Sequence, residues 1–262
     1  MDFPKLFDVK GKVVLVTGGS RGIGLMIATG FVQSGANVYI TSRSAHVCTK
    51  VAKELNTLGP GRCFSIPANL QDLEEVKRLV KELEKREKHL DVLVNNAGAT
   101  WGETIEDYPD SAFEKVINLN LKRVFSLTQA CLPLLKANAV PSRPSSVINI
   151  GSIDGLKVPT QETYAYSASK AGLHHLTSHM AVKLGPDSIT VNAIAPGAFP
   201  SKMMQATLDA FSDIIIASIP VGRLGSPEDI AGTCIYLSSR AGQYTTGAII
   251  KVDGGVVVGG KL

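Results

Sequence analysis

Short β-branched runs alternate with longer stretches of helical period along almost the whole chain. Residues 12–17 (KVVLVT), 37–42 (NVYITS), 62–67 (RCFSIP), 91–94 (DVLV), 146–150 (SVINI), 189–194 (ITVNAI) and 248–252 (AIIKV) are apolar runs of strand length. Such runs suit parallel strands covered on both faces. Between them the pattern predicts helices over about 23–34, 45–58, 71–89, 111–136 and 227–238, and one that starts soon after residue 153 and ends near 184. The charges of the 71–89 helix read as a solvated face. Residues 138–144 read as a polar loop, and 198–224, rich in Met, Ala and Ser, as a mobile segment. The alternation predicts an α/β fold: one Rossmann-type, doubly wound parallel sheet of about seven strands flanked by helices, in a single domain over 1–262.

Composition adds little to this picture. Of 262 residues, 44 % are hydrophobic and 19 % charged, as in an ordinary globule with ample core. The net charge of +4 is scattered rather than blocked, which argues against nucleic acid as a partner and leaves room for an anionic small molecule. Cys48, Cys63, Cys131 and Cys234 form no CxxC pair and no metal-like spacing, so buried or half-buried free thiols are expected. No apolar run approaches the roughly 18 residues of a membrane span, and the first residues carry no apolar signal core. The final Gly260-Lys261-Leu262 is close to the peroxisomal Ser-Lys-Leu address, but glycine is a poor first residue for it. A cytoplasmic protein with no membrane partner is the expectation.

The first strand runs straight into Gly18-Gly19-Ser20-Arg21-Gly22-Ile23-Gly24, a GxxxGxG pattern that opens a helix. Strand, glycine turn and helix N-terminus together make an anion site. Glycine lets the backbone approach a pyrophosphate, and free N–H groups with the helix dipole favour its charge. At the end of the second strand a NAD site usually places an acid for the ribose 2′-hydroxyl. Here Ser42 and Arg43 stand instead, with Arg21 back in the loop. Guanidiniums there would welcome a 2′-phosphate, so the expected cofactor is NADP(H). Asn69 and Leu70 follow the third strand and Asn96, Ala97 and Gly98 the fourth, at strand ends where open α/β sheets hold ligands.

Tyr166 and Lys170 lie four residues apart, on one face of a helix. A phenol of pKa about 10 exchanges protons poorly at pH 7. An ammonium beside it favours the phenolate and is expected to bring that pKa down toward the working range. Tyr164, six residues from Lys170, points roughly 120° away at 3.6 residues per turn and is the weaker candidate. Asn118 and Asn120 sit inside a long helix where asparagine is a mediocre former, which calls for a reason.

Taken together, TGGSRGIG, NNAG, the asparagine in NLNLK, Ser152 after the fifth strand, YSASK and Pro196-Gly197 resemble the short-chain dehydrogenase/reductase family over about residues 10–255. The stretches NNAGATWGETIEDYPDSAFEKV and IAPGAFPSKM look most like its NADPH-dependent 3-oxoacyl reductases of the rhamnolipid-synthesis type. By that resemblance Asn120, Ser152, Tyr166 and Lys170 match the catalytic tetrad. It implies hydride transfer to a carbonyl, with Tyr166 protonating the oxygen, Ser152 hydrogen-bonding it, Lys170 gripping the nicotinamide ribose and Asn120 holding a water. It also implies cofactor contacts at Gly18, Arg21, Ile23, Arg43, Asn69, Asn96, Tyr166, Lys170, Pro196, Gly197, Phe199 and Ser201, and a homotetramer or homodimer built on two long helices. Three positions depart from the family pattern: Asn69 replaces the usual Asp, Ser201 the usual Thr, and Arg123 a frequent Gly.

The implied substrate is a 3-oxoacyl thioester on acyl carrier protein or coenzyme A, with polyketide, steroid or sugar ketones as alternatives. A cofactor-binding sensor without turnover is the other class, and the presence of Ser152, Tyr166 and Lys170 argues against it. His175 and His179 have helical HxxxH spacing but no HExxH acid, so packing is favoured over a metal, and no metal is expected. Trp101 reads equally as substrate mouth or loop packing. Phe199, Met203 and Met204 read either as an apolar lid or as core.

Overall fold

A computed structural model describes residues 3–201 and 204–259, except for the side chains of 3, 4, 206 and 207. Met203 and the Gly260-Lys261-Leu262 tail lie outside the described residues. A short α1 (Phe3–Leu6) precedes β1 (Val13–Thr17), α2 (Gly22–Gln33), β2 (Asn37–Thr41), α3 (Ala45–Leu55), β3 (Arg62–Ser65), α4 (Leu73–Glu84) and β4 (Val92–Asn95). Then follow α5 (Asp110–Ile117), α6 (Arg123–Lys136), β5 (Ser145–Ile150), α7 (Tyr164–Leu184), β6 (Ile189–Pro196), α8 (Gln205–Ala217), α9 (Pro227–Ser238) and β7 (Ile249–Val252). Seven parallel strands form one sheet in the order β3-β2-β1-β4-β5-β6-β7. The order reverses between β1 and β4, the switch point at which such sheets open a crevice.

Both faces of the sheet are covered, which is why its strands read as unbroken apolar runs. Val14 and Val16 of β1 join Val38, Ile40, Ile148 and Ile194 against Ile27 and Phe31 of α2 and Ile230 and Cys234 of α9. The alternate residues Val13 and Leu15 pack with Leu93, Val147 and Val191 against Leu79 of α4, Leu127 and Cys131 of α6 and Met180 of α7. All four cysteines are free and buried. Burial pushes the thiols of Cys63 and Cys131 up to about 12, well away from reactivity.

Two expectations need correction. The predicted 111–136 helix is interrupted: α5 and α6 are joined by a π turn, Asn118–Lys122, that contains both unexplained asparagines. The 198–224 segment, for which no helix was expected, contains the 13-residue α8, which departs from helical geometry at Phe211 (φ −138°, ψ 21°). Its three consecutive isoleucines, residues 214–216, spread around the helix at about 100° per residue rather than forming one face, and Ile214 is exposed.

Candidate active site

The loops after β1, β4, β5 and β6 meet at the carboxyl end of the sheet. Gly18 and Gly22 adopt φ of +64° and +53°, the left-handed region that side chains rarely enter. A Cβ on Gly24 would stand 2.4 Å from both the Gly18 carbonyl oxygen and Asn96 Nδ2. The turn is therefore folded back on itself and on the β4 loop. Asn96 Nδ2 donates to the Thr17 carbonyl (2.8 Å), and Thr17 Oγ1 accepts from the N–H groups of Asn96 (2.8 Å) and Ala97 (2.9 Å). Gly22 leaves so little room that a Cβ there would lie 3.2 Å from Ser201 Cβ, so the segment after β6 closes over the glycine loop.

This cradle fits a dinucleotide pyrophosphate. The N-terminus of α2 carries no side-chain cap and no acid in its first turn, which leaves its N–H groups and the positive dipole end to an anion. Ser20 is buried in the loop and Ile23 packs on the core behind it. Arg21 and Arg43 are exposed, and neither guanidinium is engaged by another described residue. Ser42, just past β2, donates to the Ser44 carbonyl (3.5 Å). Asn69 is exposed and its Oδ1 accepts from the Gln71 N–H (3.3 Å), whereas Leu70 is buried. Gly98 sits within 3.3 Å (as a notional Cβ) of Asn120 Oδ1, and Gly197 donates to the Val252 carbonyl (3.0 Å) beside Pro196.

At the other end of the site, the Ser152 side chain neighbours the Tyr166 phenol and favours its ionised form. Ser152 Oγ also accepts from the Asp154 N–H (3.1 Å), starting a 3-10 turn over Ile153–Gly155. Lys170 is buried, donates to the Ile150 carbonyl (2.7 Å), and holds Nζ 5.5 Å from the centre of the Tyr166 ring. Asn120, also buried, pairs in both directions with Ala99: its Oδ1 accepts from the Ala99 N–H and its Nδ2 donates to the Ala99 carbonyl, each at 2.9 Å. Nδ2 reaches Ser169 Oγ as well (3.1 Å), and that hydroxyl donates to the Tyr166 carbonyl (2.7 Å). The structure thus brings Asn120, Ser152, Tyr166 and Lys170 to one place.

The electrostatics differ from the expectation. Burial pushes the Tyr166 phenol up to about 12; the neighbouring Ser152 side chain works against this and the nearby Asp154 carboxylate adds to it. The ammonium is not what sets the phenol. Burial instead holds Lys170 down to about 8, with Asp154 opposing the shift. Asp154 was not singled out in the sequence, although its place two residues after Ser152 was a usable signal. Burial raises its own carboxyl above the ordinary range, against the pull of Lys157 and Lys170.

Other candidates separate. His174 is buried against Gly151 and Gly155, and burial and then the neighbouring Lys170 hold its imidazole down to about 4, hence neutral. His175 and His179 are exposed, and among the described residues no three metal-ligating side chains are gathered. Phe199 is a core residue packed on Gly225 rather than a lid. Trp101 is partly exposed, and its carbonyl accepts from the Tyr108 hydroxyl (3.1 Å).

Comparison with known proteins agrees with this geometry. The enoyl-(acyl carrier protein) reductase family model matches residues 18–257. A rhamnolipids biosynthesis 3-oxoacyl-(acyl-carrier-protein) reductase of Pseudomonas aeruginosa is 46 % identical over 95 % of this chain and 97 % of its own length. A 3alpha-hydroxysteroid dehydrogenase of Mediterraneibacter gnavus is 34 % identical over 94 % of this chain and 97 % of its own. Among solved structures, a Pseudomonas aeruginosa RhlG/NADP active-site complex superposes with TM-score 0.92 at 44 % identity, covering 97 % of this chain and 99 % of that one. With the strand order, the glycine turn and the Ser152–Tyr166–Lys170 cluster already in place, these likenesses make the chain a member of the short-chain dehydrogenase/reductase family.

Proposed function

We propose that the protein is an NADPH-dependent reductase of a 3-oxoacyl thioester, carried on acyl carrier protein or coenzyme A. The observation that carries the proposal is two neighbouring hydroxyls, Ser152 and Tyr166, beside a buried lysine at the end of a bare-backbone anion cradle. Gly18, Ser20, Gly22, Ile23 and Gly24 hold the pyrophosphate; Arg21, Ser42 and Arg43 take the 2′-phosphate; Asn69, Leu70 and Ala97 face the adenosine. Asn96, Gly98, Pro196, Gly197, Phe199 and Ser201 line the remainder, Phe199 through its backbone. When bound, the reduced nicotinamide supplies the hydride that a ketone carbon receives.

The chain's own residues manage the oxygen. Ser152 and Tyr166 both donate to the carbonyl and hold it as negative charge develops. Tyr166 then gives up its proton. A phenol held near 12 remains protonated at neutral pH and is still far more acidic than an alcohol, whose pKa lies near that of water, about 15.7. Burial therefore suits Tyr166 to act as the acid of the reducing direction. Lys170, cationic at pH 7 but held close to its titration point, orients the ribose and replaces the proton; Asn120 keeps its peptide in place beside it.

The family model's description points to an alternative, reduction of an enoyl double bond. That chemistry ends with a proton on carbon, whereas two neighbouring hydroxyls suit a single oxygen, so the ketone reading is preferred. The steroid relative keeps a bulky cyclic ketone as the second candidate. We place the protein in the cytoplasm as one domain over 1–262, assembled as a homotetramer or homodimer through its long helices. A panel of 3-oxoacyl, enoyl and 3-oxosteroid substrates, each with NADPH and NADH, tests the reading by cofactor absorbance. NADPH oxidation with the 3-oxoacyl thioester is expected; turnover confined to the enoyl substrate, or equal use of NADH, would overturn it.

A further inference from the structure

Gln71 lies in the loop between β3 and α4, two residues past Asn69, and every one of its polar atoms is engaged. Its N–H donates to Asn69 Oδ1 (3.3 Å) and its Nε2 to the Lys115 carbonyl at the end of α5 (3.0 Å). Its Oε1 accepts from Asn118 Nδ2 (2.6 Å), and its carbonyl accepts from both Asn118 Nδ2 and Arg123 Nε (3.0 Å each). Asn118 and Arg123 bracket the π turn at the α5–α6 junction. Inside that turn, Asn120 reaches the other way, to Ala99 and Ser169. A π turn is a single-turn widening of a helix and is held by fewer regular bonds than the helix around it. Here its two asparagines grip different segments, one the loop that carries Asn69 and the other the loop that follows β4. Arg123, the departure from the family's frequent glycine, closes this arrangement with a charged donor.

We propose that Gln71, Asn118 and Arg123 form a positioning clamp that couples the adenosine end of the cofactor site to Asn120. Ligand contact at Asn69–Leu70 firms the loop; the loop firms the π turn through Gln71; and the π turn sets Asn120 against Ala99. Cofactor occupancy at one end thereby orders the proton-handling end without any contact between the ligand's adenosine and Asn120. The proposal rests on the NADP(H) reading above, and the clamp acts alike for NADPH and NADH, since neither Gln71 nor Asn118 addresses the 2′-phosphate.

Hydrogen exchange in the presence of 2′,5′-ADP tests it, because this fragment has no nicotinamide and cannot touch the tetrad directly. In the wild-type protein, saturating fragment is expected to slow exchange of the Ala99 amide by about fivefold or more, the low end of ordinary site-to-site coupling. In Gln71→Ala and Asn118→Ala that protection is lost, while the thermal midpoint stays close to that of wild type. Gln71→Glu, which keeps the acceptor for Asn118, restores part of it. Should Gln71→Ala fail to fold, Arg123→Gln, which leaves the Gln71–Asn118 pair in place, is expected to show reduced protection. Fragment that binds but leaves Ala99 unprotected in wild type, or protects it equally in Gln71→Ala, overturns the clamp and spares the cofactor reading. Failure of wild type to bind the fragment at all overturns both.

Discussion

At the Tyr166 end of the site three of the four polar side chains are held by hydrogen bonds, mostly to backbone: Ser152 by the Asp154 N–H, Lys170 by the Ile150 carbonyl, and Asn120 by the Ala99 peptide and Ser169. At the Arg21 end, Arg21 and Arg43 stand exposed with no described partner. The first arrangement is largely pre-organised, with Asn120, Ser152 and Lys170 buried and Tyr166 half-buried, so much of the cost of fixing its geometry is met by the fold before any ligand arrives. The second is solvated and loose, and can act only through affinity. Substitutions at the two ends should therefore separate cleanly, one set moving turnover and the other moving cofactor choice.

The largest expected effect comes from the buried end. Lys170→Met should cut kcat by at least about a hundredfold, the scale of a lost acid–base group. It should also stabilise the fold. The Lys170 pKa is held near 8 rather than 10.5, so the folded state carries a buried charge at pH 7 at a cost on the order of 3 kcal/mol, at 1.36 kcal/mol per pKa unit. That penalty is full below pH 8, where folded and unfolded chains are both protonated, and fades as pH rises toward 10.5. Urea melts at pH 7 and pH 10 should show the advantage of Lys170→Met shrinking. In the wild type, reductive kcat should fall as pH rises through about 8, when Lys170 loses its proton while Tyr166, near 12, keeps its own.

A smaller change is expected at the exposed end. Arg43→Asp should lower the NADPH-over-NADH preference in kcat/KM by roughly 10- to 100-fold, the range of a charge-assisted hydrogen bond. Smallest is the effect of salt. Raising ionic strength toward 1 M, where the Debye length falls to about 3 Å, should weaken NADPH binding a few-fold and leave NADH binding nearly unchanged. A salt-sensitive kcat at saturating cofactor would blur the division between the two ends.

The chain's alternation announced the sheet because strands covered on both faces must be apolar throughout. The Gly18–Gly24 turn was equally plain, since its φ values and its contact with Asn96 admit no side chain. Legibility failed where a residue's role depends on distant partners. Asn118 and Asn120 looked like flaws in one long helix, because a π turn has no periodicity of its own; Gln71, 47 positions from Asn118, gave no hint of the contact. The phenol's acidity was misjudged for a related reason. Spacing put Lys170 beside Tyr166, but the depth that desolvates both groups belongs to the tertiary structure.

The division of labour between the two ends is tested most directly by single-turnover reduction of a 3-oxoacyl thioester with NADPH bound to saturation, comparing Tyr166→Phe and Arg43→Ala with wild type. The account predicts that Arg43→Ala reduces the substrate within about twofold of the wild-type rate, since cofactor choice is already made, while Tyr166→Phe is slowed by roughly a thousandfold although it still binds NADPH. A Tyr166→Phe rate close to wild type, or an Arg43→Ala rate that collapses at saturation, would contradict it.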